Sequence, residues 1–147
     1  MDSLDRETRS KLMAKVRSKN TAIEMKVRKL IYGLGFRYRV NVRGIAGTPD
    51  IVFKKRKKII FIHGCFWHRH GCSNGRRVPK SRVDFWENKF AANIERDARV
   101  YDQLKKDGWD YLVIWECETK DEDTLKTRIL NFYHSLMRSI AVIYFII

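Results

Sequence analysis

Acidic residues are scarce in this chain. It carries 17 Asp and Glu against 31 Lys and Arg, which leaves a net charge of +14 and a pI of about 10.0. Charge of that size bears on partners more than on fold, and nucleic acid leads among them, because neutralising phosphates releases counterions. Long apolar runs are missing too: none reaches the roughly 18 residues needed to span a bilayer. The charged start, Met1 to Glu7, lacks the apolar core of a signal peptide, so the expected location is the cytosol, in association with the nucleoid. With two prolines and eight glycines there is no linker rich in these residues, and no internal repeat. A single domain spanning residues 1–147 is expected, since 44% apolar residues suffice for one core. Cysteine is limited to three residues, and an odd number in a reducing compartment reads as metal ligands before disulfides.

What is present divides into short elements. Residues 2–17 are compatible with a loosely amphipathic helix. Thr21, with Glu24 three residues on, is a capping box that opens a helix carrying Ile23, Val27, Leu30, Ile31 and Leu34, and Gly35 stops it. Phe36, Tyr38, Val40 and Val42 alternate with polar residues, which predicts a half-buried strand. Pro49 to Phe53 predicts a second strand, Lys54 to Lys58 a hairpin tip, and Ile59 to Ile62 a central strand covered on both faces. A long amphipathic helix runs from Phe85 to Gly108, a strand follows at Tyr111 to Trp115, and a last helix bears Leu125, Ile129, Phe132 and Leu136. The order implies an α/β fold, a mixed sheet with helices on both faces. An apolar tail, residues 139–147, carries no assigned role.

Chemistry concentrates between His63 and Cys72, which hold three of the four histidines and two of the three cysteines. Cys65, His70 and Cys72 can close on one ion, and Cys117 at the end of the last strand can supply a fourth ligand. Three thiolates and one imidazole make a closed tetrahedral zinc site of the structural kind; the alternative is buried, unliganded cysteines. His63 and His68 are then left flanking Phe66-Trp67, and histidine is the side chain suited to moving protons near neutral pH. Asp50 opens a strand that is otherwise Ile-Val-Phe, where a carboxylate needs a partner such as a divalent cation, unless it only caps the preceding loop. For Glu24 the capping box suffices locally, and a functional role depends on Asp50 and His63 lying nearby.

Taken together, the segments Thr8-Arg9-Ser10-Lys11 with Met13, Thr21-Ala22-Ile23-Glu24, Gly47-x-Pro49-Asp50, Phe61-x-His63-Gly64-Cys65-Phe66-Trp67-His68, Asn93-x-Glu95-Arg96-Asp97 and Trp115-Glu116-Cys117 closely resemble the very short patch repair (Vsr) mismatch endonucleases. They span nearly the whole chain in one order. The resemblance implies a fold similar to restriction endonucleases of the Pro-Asp…Asp/Glu-x-Lys type, with a zinc-stabilised loop. It implies that Asp50 and the main-chain carbonyl of Ile62 bind catalytic magnesium; Ile62 stands where the family commonly has Thr. By the same resemblance His63 activates water or steadies the phosphate. His68 and Glu24 order water or protonate the leaving oxygen, with Asn93 behind them, and Cys65, His70, Cys72 and Cys117 hold zinc. Met13, Phe66 and Trp67 would wedge into the base stack, and an N-terminal helix within residues 1–20, with Arg9 and Lys11, would contact DNA.

Wedges fit the physics of mismatch reading, because unstacking costs least where a mismatch has already weakened the stack. The sequence departs from some relatives at Arg69 and Gly71, where those have histidines, and in the basic stretch Ser73 to Arg77. The implied activity is a magnesium-dependent nick 5′ of the mispaired T in T:G pairs. Such pairs arise from deaminated 5-methylcytosine, so a cytosine methyltransferase is the expected functional partner and a monomer the expected state. The rivals are a related homing or restriction enzyme acting on matched sites and a non-catalytic zinc-stabilised DNA-binding module.

Overall fold

In the computed structural model, residues 5–15 and 19–136 are described, and the apolar tail lies outside them. Thr21 caps α2: the Glu24 amide donates to Thr21 Oγ1 (3.3 Å), while Glu24 Oε2 accepts the amide of Asn20, one residue before the cap (2.9 Å), in place of the Thr21 amide of a full capping box. Helix α2 (Ala22–Gly33) runs from there and buries Val27 and Ile31. Gly35, at φ +88°, ends it in the left-handed conformation that glycine adopts without strain. Before it, α1 spans Arg6–Ala14, and residues 2–4 and 16–17 of the expected helix lie outside the described residues.

The sheet has three strands in the order β1 (Ile51–Phe53), β2 (Lys58–His63), β3 (Asp110–Trp115). β1 and β2 are antiparallel with Ile51 opposite Ile60; β2 and β3 are parallel with His63 opposite Trp115. All six residues of β2 are buried, as expected of a central strand. The parallel pairing requires a crossover, which α3 (Val83–Lys106) supplies. Helix α4 (Glu122–His134) is the last element among the described residues, its first turn capped by Asp121, which accepts from the Thr124 amide (3.2 Å). Two cores result, one on each face. Val27, Ile31, Ile51, Ile60, Ile114 and Ile129 pack beneath α2 and α4, while Val52, Ile59, Phe61 and Leu104 pack beneath α3. Each fully buried branched side chain contributes about 1.5–3 kcal/mol.

The alternating run from Phe36 to Arg43 does not form a strand. Its only ladder contact among the described residues is a bridge in which Arg39 and Val52 exchange both main-chain hydrogen bonds (2.9 and 2.8 Å). Phe36 and Tyr38 pack on the α2/α4 core, whereas Val42 packs on the α3 core, so the segment passes around the edge of β1 from one face to the other. Asn41, at φ +52°, breaks the extended geometry. The hairpin tip is also shorter than expected: Lys54–Arg56 form a 3-10 turn and Lys57 is left-handed. Lys58 is not at the tip. It is 1% exposed, and its Nζ donates to the main-chain oxygens of Phe132 and Ser135 and to Ser135 Oγ, capping the negative end of α4 with a cation. Leu136, expected within the last helix, lies beyond it and is exposed.

Candidate active site and metal centre

The parallel register explains how Cys117 meets a loop more than 40 residues earlier. His63 and Trp115 pair at the strand ends, and Cys65 and Cys117 each follow two residues later. The ligand atoms of Cys65, His70, Cys72 and Cys117 all lie within 4.8 Å of one another. His70 Nδ1 is 3.4 Å from Cys117 Sγ and 3.9 Å from Cys65 Sγ. Bonds of about 2.3 Å to sulfur at tetrahedral angles put ligand atoms roughly 3.8 Å apart, so the donor set fits one zinc-sized ion.

The surrounding loop is built for this closure. The His70 ring stacks on Trp115 (centroids 4.5 Å, 24° between planes), and Glu116 Oε2 accepts the Cys65 amide (3.2 Å). Gly75 donates its amide to Cys72 Sγ (3.4 Å), and a Cβ there would lie 2.0 Å from the His70 carbonyl oxygen. Burial pushes the Cys65 thiol up to about 12. The Gly75 amide, followed by His70, draws Cys72 down to about 6.

Asp50 sits where the chain enters β1, and its Oδ2 accepts the Ile62 amide (2.7 Å). That bond ties the carboxylate to the residue preceding His63. Burial raises the Asp50 carboxyl to about 6; the Ile62 amide opposes the rise, and the negative charge of Glu24 adds to it. Glu24 thus lies near enough for its charge to act on the Asp50 carboxylate in a partly desolvated site. Glu24 is buried and held from three sides, by the Asn20 amide, by Thr21 Oγ1 (3.0 Å) and by Arg28 Nη2 (3.4 Å).

At the end of β2 the rings of His63 and His68 stack (centroids 3.7 Å, 12°). His68 Nδ1 is 2.5 Å from Asp97 Oδ2, and His63 Nδ1 faces the Tyr101 hydroxyl at 3.5 Å. Burial, and next the neighbouring His68, lower His63 to about 4, which leaves its imidazole neutral near pH 7. A cleft of about 310 Å³ opens beside the pair, lined also by Gly47, Thr48, Arg96 and Tyr101. Gly47, at φ +76°, has no room for a side chain: a Cβ would lie 2.5 Å from Val100 Cγ1.

Phe66 and Trp67 are half-buried and meet nearly at right angles (5.1 Å, 82°). Phe66 also packs edge-on against Trp86 and Phe90 of α3. Asn93 Nδ2 donates to the Trp67 carbonyl (3.0 Å), which places Asn93 behind the aromatic pair. The pair is thus backed by a wall of rings, with Lys89 Nζ 5.2 Å above the Trp67 ring.

A family model described as DNA mismatch endonuclease Vsr matches residues 1–74. The chain is 47% identical to the type II nicking enzyme V.XorIIP of Xanthomonas oryzae, over 88% of this chain and 95% of that one. It is 46% identical to the type II nicking enzyme V.NmeAIP of Neisseria meningitidis, over 82% of this chain and 86% of that protein. It is 39% identical to the DNA mismatch endonuclease Vsr of Escherichia coli, over 88% and 83% respectively. The chain belongs to the Vsr DNA mismatch endonuclease family.

Two members of this Vsr site carry no role in the sequence reading. Asp97 lies in a matching segment, yet only the fold brings it to His68; the sequence signal is the stripe Asn93, Asp97, Tyr101, one helical turn apart on α3. Arg28 is buried one turn beyond Glu24 and also donates to Asn20 Oδ1 (2.7 Å). Lys11 is exposed and paired with Glu7 (2.7 Å). Arg9 and Met13 belong to α1, but their side chains lie outside what the structure describes. The mixed sheet with helices on both faces fits a Vsr nuclease, and the protein is a DNA endonuclease. Among the described residues no helix is long and apolar enough to cross a membrane.

Proposed function

We propose that this endonuclease nicks duplex DNA on the 5′ side of the mispaired T in a T:G pair, by magnesium-dependent hydrolysis of one phosphodiester. The carrying observation is the convergence at one end of β2 of Asp50, tied to the Ile62 amide, with the stacked His63–His68 pair backed by Asp97. Asp50 and the main-chain carbonyl of Ile62 would hold magnesium, which would supply Lewis-acid polarisation of the phosphate. His63, neutral near pH 7, accepts the proton of the attacking water at the nitrogen turned away from Tyr101. Asp97 accepts the Nδ1–H of His68 and steadies its imidazolium, whose Nε2–H is given to the departing 3′ oxygen. Glu24, immobilised by Thr21 and Arg28, orders water beside Asp50.

Zinc at Cys65, His70, Cys72 and Cys117 holds the loop that displays Phe66 and Trp67, and with Met13 these wedge into the weakened stack. Arg9 and Lys11 of the N-terminal helix contact the backbone. The whole acts as one restriction-endonuclease-like domain and as a monomer in the cytoplasm, repairing lesions left at sites of a cytosine methyltransferase. Nicking accords with the names of relatives described as type II nicking enzymes, and mismatch action with that of the Escherichia coli relative. Mapping the cut on a T:G duplex labelled on each strand tests this. One product ending 5′ of the T, formed only with magnesium, is expected; cleavage of both strands, or elsewhere, contradicts it.

A further inference from the structure

At the opposite end of β2 from the histidines lies a second cleft, of about 740 Å³, ringed by Arg37, Arg39, Lys54, Lys55 and Arg56. Tyr38, Phe53 and Tyr133 also line it, and no carboxylate does. All five cations are exposed, and among the described residues none is ion-paired with an acid. Two are held in place by aromatic rings. The Arg56 guanidinium lies 4.2 Å from the Tyr133 centroid and donates to the Tyr133 carbonyl (3.2 Å), and that of Arg37 lies 3.9 Å from the Tyr32 centroid. The structural task at this end, capping α4, belongs to the buried Lys58. Arg56 shares that task through the Tyr133 carbonyl, and Arg37 donates to the Tyr32 carbonyl near the end of α2 (3.4 Å), but five like charges gathered on one cleft still repel one another.

β2 is six residues long, so this cleft and the catalytic end are separated by roughly 17–20 Å of strand. Duplex DNA stays straight over far greater lengths, with a persistence length of about 150 bp. A short duplex seated across the histidine end of β2 therefore does not bend back to Lys54, and only one laid along the strand would reach both ends. We propose that this cleft is a second, sequence-independent binding surface for the phosphodiester backbone of duplex DNA, which holds a segment other than the one being cut. The proposal rests on the reading that the chain acts on duplex DNA. Charge complementarity selects the occupant: unpaired cations with guanidiniums fixed on rings match a polyanion.

The test is a two-duplex capture, with a 20-bp T:G duplex immobilised, full-length protein bound in calcium to prevent cutting, and a labelled 20-bp matched duplex added. The parent protein should capture the second duplex, and capture should fall steeply with salt. The double variant K54E/K55E should capture about tenfold less with a salt slope shallower by about two, the number of phosphate contacts removed. Arg39→Gln should lower capture in the same direction. Cleavage of the single T:G duplex should change less than twofold in both variants. No capture by the parent, or unchanged capture by K54E/K55E, overturns the proposal. So does an equal loss of single-duplex binding, which would make the cleft part of the substrate interface, or capture of labelled polyglutamate in place of DNA. Failure of the parent to bind even the T:G duplex overturns the underlying reading as well.

Discussion

The carboxylate of Asp97 on α3 lies 2.5 Å from Nδ1 of His68 in the loop after β2, and the His68 ring stacks on His63. A carboxylate on one imidazole nitrogen fixes which nitrogen faces the substrate, the logic of hydrolytic relays on unrelated folds. Asp97→Asn keeps the shape but not the acceptor pair. It should lower the single-turnover rate about 10²- to 10⁴-fold, the range for a general acid or base, with duplex affinity nearly unchanged. Rapid-quench cleavage alongside fluorescence anisotropy measures both; a fall in affinity that accounts for the whole loss of rate would remove Asp97 from the relay.

In the proposed mechanism Asp50 connects catalysis to stability. Its carboxyl is held at about 6 against an ordinary value of 3.8, so the folded protein is at a disadvantage wherever Asp50 is ionised. The stability tied to its protonated form is fully present below about pH 4, is lost as the pH rises through about 6, and stays lost above that. Two pH units correspond to about 3 kcal/mol. In magnesium-free buffer, Asp50→Asn, still able to accept the Ile62 amide, should therefore be inactive yet more stable than the parent at pH 7.5, with the difference vanishing near pH 4. Added magnesium should raise the Tm of the parent at pH 7.5 and hardly at pH 4.5. Denaturant melts at the two pH values decide this, and an Asp50→Asn protein less stable than the parent at pH 7.5 would contradict the account.

Much of this architecture is legible in the sequence because single residues punctuate it. Thr21, Glu24 and Gly35 bound α2, the unbroken Ile59 to Ile62 marks the central strand, and the spacing from Cys65 to Cys72 marks the loop whose Cys65, His70 and Cys72 donor atoms could close on one ion. The run from Phe36 to Arg43 misleads because alternation records which residues are buried, not whether they are buried on one face. Phe36 and Val42 reach different cores. Lys58 misleads because five consecutive cations look solvated, whereas one of them answers the carbonyls at the end of α4, a contact 74 residues away. Asp97 and Cys117 gain their neighbours only from strand register and the packing of α3, which local spacing does not encode.

The thiolate loop should carry one zinc per chain, and because thiolate binding is coupled to folding, its loss should be felt as instability. Cys72→Ala should lower both zinc content and Tm. Gly75→Ala should do the same without touching a ligand, since its methyl would meet the His70 carbonyl; overpacking of this kind costs about 1–3 kcal/mol or more. Elemental analysis with thermal melts checks both, and full helix content with no zinc in the parent would refute the assignment.

Trp67, backed by Trp86 and Lys89, should matter for choice of substrate more than for charge. Trp67→Ala should reduce the preference for T:G over T:A duplexes by about 1–3 kcal/mol, the range for stacking an aromatic on a base, with little change in salt slope. An equal loss on both duplexes, in a protein that remains folded, would exclude Trp67 as the wedge.

The most direct measurement is strand-resolved cleavage of duplexes identical except at one position, T:G, T:A and C:G, with and without magnesium, alongside Asp50→Ala. The account predicts a single nick 5′ of the T in the T:G duplex, about 5- to 150-fold slower cutting of matched duplexes, as expected for a stacking difference of this size, and no cutting without magnesium or with Asp50→Ala. Equal rates on all three duplexes, or an Asp50→Ala protein that cuts at the parent rate, would contradict it.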